Sequence, residues 1–245
     1  MDYTKLLEEL SKNVNFSKYD AFSTEKKCHY ITYKDKEYAL IWQTVKVDDM
    51  NKYLSDLREL KKRIDGAKNN GAKLPAILAI YQENNHVFQL QERVKGKKMG
   101  YYEILDEKTT VEDFIELLIT FDVMSLSGLT VDSGRNCFVD DEGHINLFDC
   151  KLSKKDDRHN AKPELFKRLV FPEPYDYNEH ELLALKRILE KWIVACVKYF
   201  SMCNMDREII YDEVDLTIRN YSFISIADRK KLINDILDKT LQKCK

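Results

Sequence analysis

Apolar and polar positions alternate through much of the first third of the chain and recur at helical spacing over most of the remainder. Residues 3–13 predict a short amphipathic helix. Residues 27–33 (KCHYITY) and 37–47 (EYALIWQTVKV) are rich in β-formers and meet at Lys34-Asp35-Lys36, which predicts an antiparallel hairpin. Over residues 48–64, Met50, Tyr53, Leu54, Leu57, Leu60 and Ile64 fall on one helical face, with Asp48 or Asp49 as cap. The stretch GAKNNGAK, residues 66–73, reads as a loop. Residues 74–82 and 86–94 then predict a second strand pair across Glu83-Asn84-Asn85.

Beyond this point helical spacing dominates. Residues 109–127 predict one helix, capped by Thr109 or Thr110, with Phe114, Leu117, Leu118, Phe121 and Met124 pointing one way. A helix from Asn178 or Glu179 to about Phe200, and two more over 206–220 and 225–243, complete the chain. Between these lies TVDSGRNCFVDDEGHINLFDCKL, from Thr130 to Leu152: a polar loop, a strand at Cys137-Phe138-Val139, a turn at Asp140-Asp141-Glu142-Gly143, and a strand ending on Asp149. Asn136 opens this hairpin and Asp149 closes it. An amide oxygen and a carboxylate brought together at one end suit Mg²⁺, which prefers hard oxygen ligands.

Composition narrows the class without choosing a function. The 245 residues allow one or two domains, and 44% hydrophobic with 33% charged residues mark a globular chain. A net charge of −2 with dispersed lysines and arginines argues against a nucleic-acid binder. No apolar run approaches the ~20 residues of a membrane-spanning helix, and MDYTKLLEELSKN lacks the basic and apolar regions of a secretory signal. The 6 cysteines include no C-x-x-C pair or zinc spacing, which suits a reducing compartment, with most of them packed as small apolar side chains.

The run N-C-F-V-D-D-E-G-H-I-N-L-F-D resembles the catalytic-loop-to-metal-loop hairpin of the protein-kinase-like superfamily, which includes protein kinases and aminoglycoside and choline phosphotransferases. The resemblance implies an α+β, two-lobed fold: a small antiparallel β-rich N-lobe over residues 1–93 and a mainly helical C-lobe over 94–245. It implies ATP and Mg²⁺ as cofactors, with Asn136 and Asp149 as metal ligands and Asp132 orienting or deprotonating an acceptor hydroxyl. The acceptor is a protein or a small alcohol. Tyr38-Ala39-Leu40-Ile41 resembles the family's V-A-I-K, placing Ala39 at the roof of an adenine pocket. Glu92-Arg93-Val94-Lys95-Gly96 resembles the E-x-x-x-G hinge, with Glu92 and Val94 beside the adenine. Glu59 is the helix glutamate expected to pair with the strand lysine. The compact size is similar to that of minimal bacterial kinase-like proteins, some of them delivered into host cells. A cytoplasmic location, in the producing cell or after export as an effector, follows from that likeness.

The sequence departs from the family pattern in four places. The catalytic aspartate is expected at Val131 and stands at Asp132 instead. Asp149 is followed by Cys150 rather than by a phenylalanine and glycine. The segment before the first strand, SKYDAFSTEKKC, has no glycine to let backbone amides approach phosphate. Ile41 occupies the place of the phosphate-binding lysine. On a regular strand Gln43 shares a face with Ala39 and Ile41, while Lys46 reaches that face only through a bulge. Lys27 or Lys34 on the neighbouring strand are the other candidates for the missing charge. The main alternative is therefore a pseudokinase, a nucleotide-binding or scaffolding module of the same fold. AMP transfer, and an interaction domain unrelated to kinases, are further alternatives.

Overall fold

The computed structural model describes residues 2–22, 26–98, 102–131, 137–153, 178–219 and 224–242. The chain is α+β and divides into two compact units, one of residues 1–70 with 74–94, the other of residues 71–73 with 95–245.

The first unit opens with α1 (Tyr3–Ser11), whose free amides at Thr4 and Lys5 are capped by the Asp2 carboxylate at 3.1 and 3.3 Å. The strands are β1 (Ala21–Phe22), β2 (Lys27–Tyr33), β3 (Lys36–Thr44), β4 (Ile77–Glu83) and β5 (His86–Glu92). They form a 5-stranded antiparallel sheet in the order β1-β2-β3-β5-β4. Lys34 and Asp35 take φ of 49° and 61°, so the β2–β3 turn is of the tight kind with both central residues left-handed, matching the strand twist. Helix α2 (Met50–Asn69) connects β3 to β4.

Period-two alternation sorts the sheet into two faces. Tyr38, Leu40 and Trp42 of β3, with Phe88 and Leu90 of β5, form a core with Leu6 and Leu7 of α1. The other face carries Ala39, Ile41 and Gln43, paired across the ladder with Gln91, Gln89 and Val87.

In the second unit the described elements are β6 (Lys97–Lys98), α3 (Tyr102–Glu107), α4 (Val111–Leu126), β7 (Leu129–Val131), β8 (Cys137–Val139), β9 (Ile145–Leu147), β10 (Cys150–Leu152), α5 (Glu179–Met202), α6 (Arg207–Ile218) and α7 (Ile226–Gln242). Helices α4 and α5 begin with reciprocal capping boxes, Thr110 with Asp113 and Asn178 with Glu181. Helix α5 packs against α3, α4, α6 and α7. Its Arg187 grips the Asp106 carboxylate, and Lys191 donates to the carbonyls of Leu105, Asp106 and Thr109 where α3 gives way to α4. These bonds satisfy carbonyls that a helix end leaves open. Among the described residues no helix is long and apolar enough to cross a membrane.

Several local expectations need correction. Helix α2 continues through Gly66 to Asn69, where a loop was expected, because a glycine costs only about 1 kcal/mol inside an otherwise apolar-faced helix. Strand β3 stops at Thr44, so residues 45–47 are not strand. Thr130 and Val131, expected at the start of a polar loop, instead end the strand Leu129–Val131, because it pairs with Cys150–Leu152.

Candidate functional site

The site in the second unit is built by two small sheets that meet at Asp149. Strand β8 pairs with β9, placing Cys137 opposite Leu147. Strand β10 pairs with β7, placing Cys150 opposite Val131. Asp149 lies in the short link between β9 and β10. Val131 and Cys137 are thereby paired with residues on either side of it. The chain passes from one sheet to the other within this link, and Asp149 takes a left-handed φ of 51° to do so. Aspartate tolerates that region better than most residues, but it is still an uncommon conformation. Packing of the Phe138 and Phe148 rings, 4.4 Å between centroids, fixes the end of the hairpin. Asp132 and Asn136 lie outside the described residues, so of the expected acidic and amide group only Asp149 is placed.

The far end of the hairpin is clamped. Thr109 Oγ1 donates to the Gly143 carbonyl at 2.7 Å, and Lys108 Nζ to the Asp141 carbonyl at 2.5 Å. On the other flank β6 pairs with β8, Lys97 opposite Val139. Gly96, at φ 125°, lies so close to that strand that a Cβ would stand 2.6 Å from the Val139 carbonyl oxygen. The glycine of E-x-x-x-G thus has a packing reason.

Asp140, Glu142 and His144 bring ligand atoms within 4.8 Å of one another at the hairpin turn. However, Asp140 Oδ1 already accepts the backbone N–H groups of Glu142 and His144, at 3.2 and 2.8 Å. The cluster is explained as turn chemistry.

In the first unit Ala39 is buried, between Tyr30 on β2 and Gln91 on β5. Ile41 lies between Cys28 and Gln89. Gln43 shares their face, and its Oε1 accepts from the Tyr53 hydroxyl at 2.9 Å. Lys46 stands beyond the end of β3, on the turn leading into α2. Lys27 is opposite Trp42, which puts it on the α1 side of the sheet, away from Ala39. Lys34 is held in the β2–β3 turn over the Tyr33 ring. No lysine projects from the Ala39 face of the described strands. The cation that reaches this face is Arg93, which pairs with Glu37 at 2.7 Å and stacks 4.3 Å from the Tyr30 ring centroid. Burial, with a smaller contribution from Asp20, pushes the Cys28 thiol up to about 12 against the pull of Arg93, so it remains protonated at neutral pH.

Glu59 pairs with Arg63 of its own helix at 2.8 Å, and Arg63 holds its carboxyl below the usual range. It forms the i, i+4 surface pair that helical spacing allows. Glu92 is a tie between distant segments: its Oε2 accepts from Lys68 Nζ at 2.6 Å and from the Ala76 amide at 2.8 Å. Val94 is half-buried in the connection after β5. Burial opposes ionisation of Glu92, but Lys68 and the Ala76 N–H outweigh it and lower its pKa from 4.5. A lowered folded-state pKa gives stability that is present above the unfolded value and lost as pH falls through the folded one. The stability gap between wild type and Glu92→Gln is therefore expected to be widest above about pH 4.5 and to close in acid. Urea melts from pH 3 to 7 check this, and a gap that grew in acid would refute it.

No protein-family model matches the chain, and no curated protein matches its sequence. Any functional assignment therefore rests on the residues and their geometry.

Sequence reasoning missed Arg187 and Lys191, whose i, i+4 spacing marks one helical face but not its target. It also missed the pairing of β7 with β10, which is what frames Asp149. That pairing leaves only a weak local signal, the short apolar runs on either side.

Proposed function

We propose that the chain is a divergent ATP- and Mg²⁺-dependent phosphotransferase of the kinase-like type, acting on a hydroxyl of a protein or small molecule. The observation that carries this reading is the framing of Asp149 by the two register pairs Val131–Cys150 and Cys137–Leu147. Asp149 supplies a hard oxygen donor, and Asp132 and Asn136 fall in sequence between Val131 and Cys137, the two residues paired on either side of it. In this reading Asp149 and Asn136 hold the metal, and Asp132 takes the acceptor proton. Bound Mg²⁺ would neutralise phosphate charge, and the chain's own residues would orient the reacting groups. The order of strands and helix in the first unit, with α2 between β3 and β4, is further support for a kinase-like amino-terminal lobe.

A second reading is favoured by a specific observation. The Ala39 face presents no lysine, and Glu59 is committed to Arg63. Both fit a pseudokinase that binds nucleotide weakly, or not at all, and serves as an interaction module.

Thermal melts with ATP, with and without Mg²⁺, separate the two. Under the first reading Mg·ATP raises the melting temperature, and Asp149→Ala removes that rise when each protein is compared with its own ligand-free melt. Turnover, once an acceptor is found, should fall about a thousandfold in Asp149→Ala, equivalent to ~4 kcal/mol of transition-state stabilisation. No metal-dependent stabilisation of the wild type would discard the phosphotransferase.

A further inference from the structure

Exposed apolar side chains gather at one end of the second unit's helices. Leu126 is 89% exposed at the end of α4, and Met202 is 69% exposed at the end of α5. These two helix ends lie together, because about one turn before each the Tyr199 hydroxyl of α5 donates to the Asp122 carboxylate of α4. The chain then turns back at Asn204, whose φ is 57°. The Cys203 amide donates to the Tyr199 carbonyl at 3.2 Å, and the Met205 amide to the Phe200 carbonyl at 3.3 Å. This turn keeps Met205 against the last turn of α5 and starts α6, with Ile209 in its first turn, at the same end. Met205 and Ile209 are exposed as well. Apolar residues scattered singly over a surface need no explanation, whereas a cluster with a polar rim marks an interaction site. Methionine adds an adaptable side chain that recurs on surfaces binding apolar partners.

The rim is acidic. Asp206, Glu208 and Asp212 are exposed and form no ion pair among the described residues. Asp206 precedes α6 without making a side-chain capping bond, and Asp212 lies three residues beyond Ile209 on the same helical face. The neighbouring cations are already neutralised, Lys198 by Glu112 at 3.2 Å and Arg207 by Asp238 at 2.8 Å. This charge pattern selects among occupants. Two copies of the surface meeting about a two-fold axis would set these carboxylates against one another. An anionic membrane surface would meet the same repulsion. A cationic partner is attracted by the rim and covers the apolar side chains.

We propose that this end of the second unit docks a basic, amphipathic segment of a partner protein. Apolar side chains of the segment cover Leu126, Met202, Met205 and Ile209, and its lysines or arginines face the carboxylates of Asp206, Glu208 and Asp212. No residue assigned to metal or nucleotide binding takes part, so the inference stands or falls independently of the phosphotransferase reading.

The test uses the full-length chain and a pair of labelled helical peptides of equal length, one built of leucine and lysine, the other of leucine and glutamate. Fluorescence anisotropy measures binding at low and at physiological salt. The leucine–lysine peptide is expected to bind and the leucine–glutamate peptide to bind far more weakly. Met202→Ser combined with Ile209→Ser should weaken the leucine–lysine peptide about tenfold, the loss of apolar anchors at the centre of the contact. Glu208→Gln combined with Asp212→Asn should weaken it severalfold and flatten its salt dependence, a change that damage to the fold would not mimic. The proposal is overturned if neither peptide binds, if both bind equally, or if binding ignores either pair of substitutions. It is also overturned if sedimentation shows a wild-type dimer that Met202→Ser with Ile209→Ser dissociates, since a second copy would then be the occupant. All of these substitutions are at exposed positions, and circular-dichroism melts verify that each variant is folded.

Discussion

Trp192→Ala is expected to cost the second unit about 4 kcal/mol, the largest stability loss from a single side chain in its core. Trp192 is fully buried at 0% exposure on α5, the helix that α3, α4, α6 and α7 all pack against. Its ring meets Phe114 of α4 edge-on, 5.5 Å between centroids at 89°. Its Nε1–H donates to Thr217 Oγ1 of α6 at 3.0 Å. The substitution therefore leaves a cavity between helices, removes an aromatic pair worth ~1 kcal/mol beyond its buried area, and takes a bond from α6. Thr217 keeps its own bond to the Val214 carbonyl at 2.8 Å, so no buried hydroxyl is orphaned. A domain is typically stable by only about 5–15 kcal/mol, so the variant should unfold at a much lower urea concentration. Trp192→Phe keeps most of the volume but loses the N–H, and should cost about half as much. Urea denaturation followed by helical circular dichroism measures both. A loss under ~1 kcal/mol in Trp192→Ala would mean that the α4–α5–α6 junction is not the core described here.

Gly143→Val should cost about 3 kcal/mol and loosen the hairpin that leads to Asp149. Two independent effects combine. Gly143 has a φ of 97°, which a β-branched residue scarcely tolerates, and an added Cβ would stand 2.6 Å from the Lys108 carbonyl carbon and 2.7 Å from the Thr109 amide nitrogen. These are backbone atoms, so relief requires the turn to lift away and give up the Thr109–Gly143 hydrogen bond. Gly71 is the matched control: its φ is 96°, but nothing lies within 4 Å of the added Cβ. Gly71→Ala thus pays for the backbone conformation alone, about 1 kcal/mol, while Gly143→Ala adds the collision. If Asp149 holds Mg²⁺, Gly143→Ala should also reduce the stabilisation by Mg·ATP although it touches no ligand. Denaturation gives the first effect and thermal melts with nucleotide the second. Equal costs for the two glycines would show that the turn does not press on the α3–α4 link.

Elements whose information is local were legible from residue order. The apolar stripe of α4, the caps at Thr110 and Asn178, and the Lys34-Asp35 turn all follow from neighbouring residues. So did the hairpin from Cys137 to Leu147, because its strands are joined by a short turn with a glycine where positive φ is needed. Gln43 was assigned to the Ala39 face by simple alternation, and the register agrees.

What tertiary structure alone decided concerns partners far apart in the chain. Lys27 carries no local mark of which sheet face it takes. Its register opposite Trp42 turns it away from Ala39 and removes it as a substitute for the missing strand lysine. Glu92 looks like a hinge residue in sequence, but Lys68 and Ala76, brought to it by folding, make it a structural tie. Helix α3 is only 6 residues long, too short for periodicity to announce, and is held from outside by Arg187 and Lys191. The framing of Asp149 depends on β7 finding β10 across the intervening hairpin. Sequence by itself determined the periods, the turns and the presence of a carboxylate after the hairpin. Register and long-range pairing, set by which faces bury together, decided what surrounds that carboxylate.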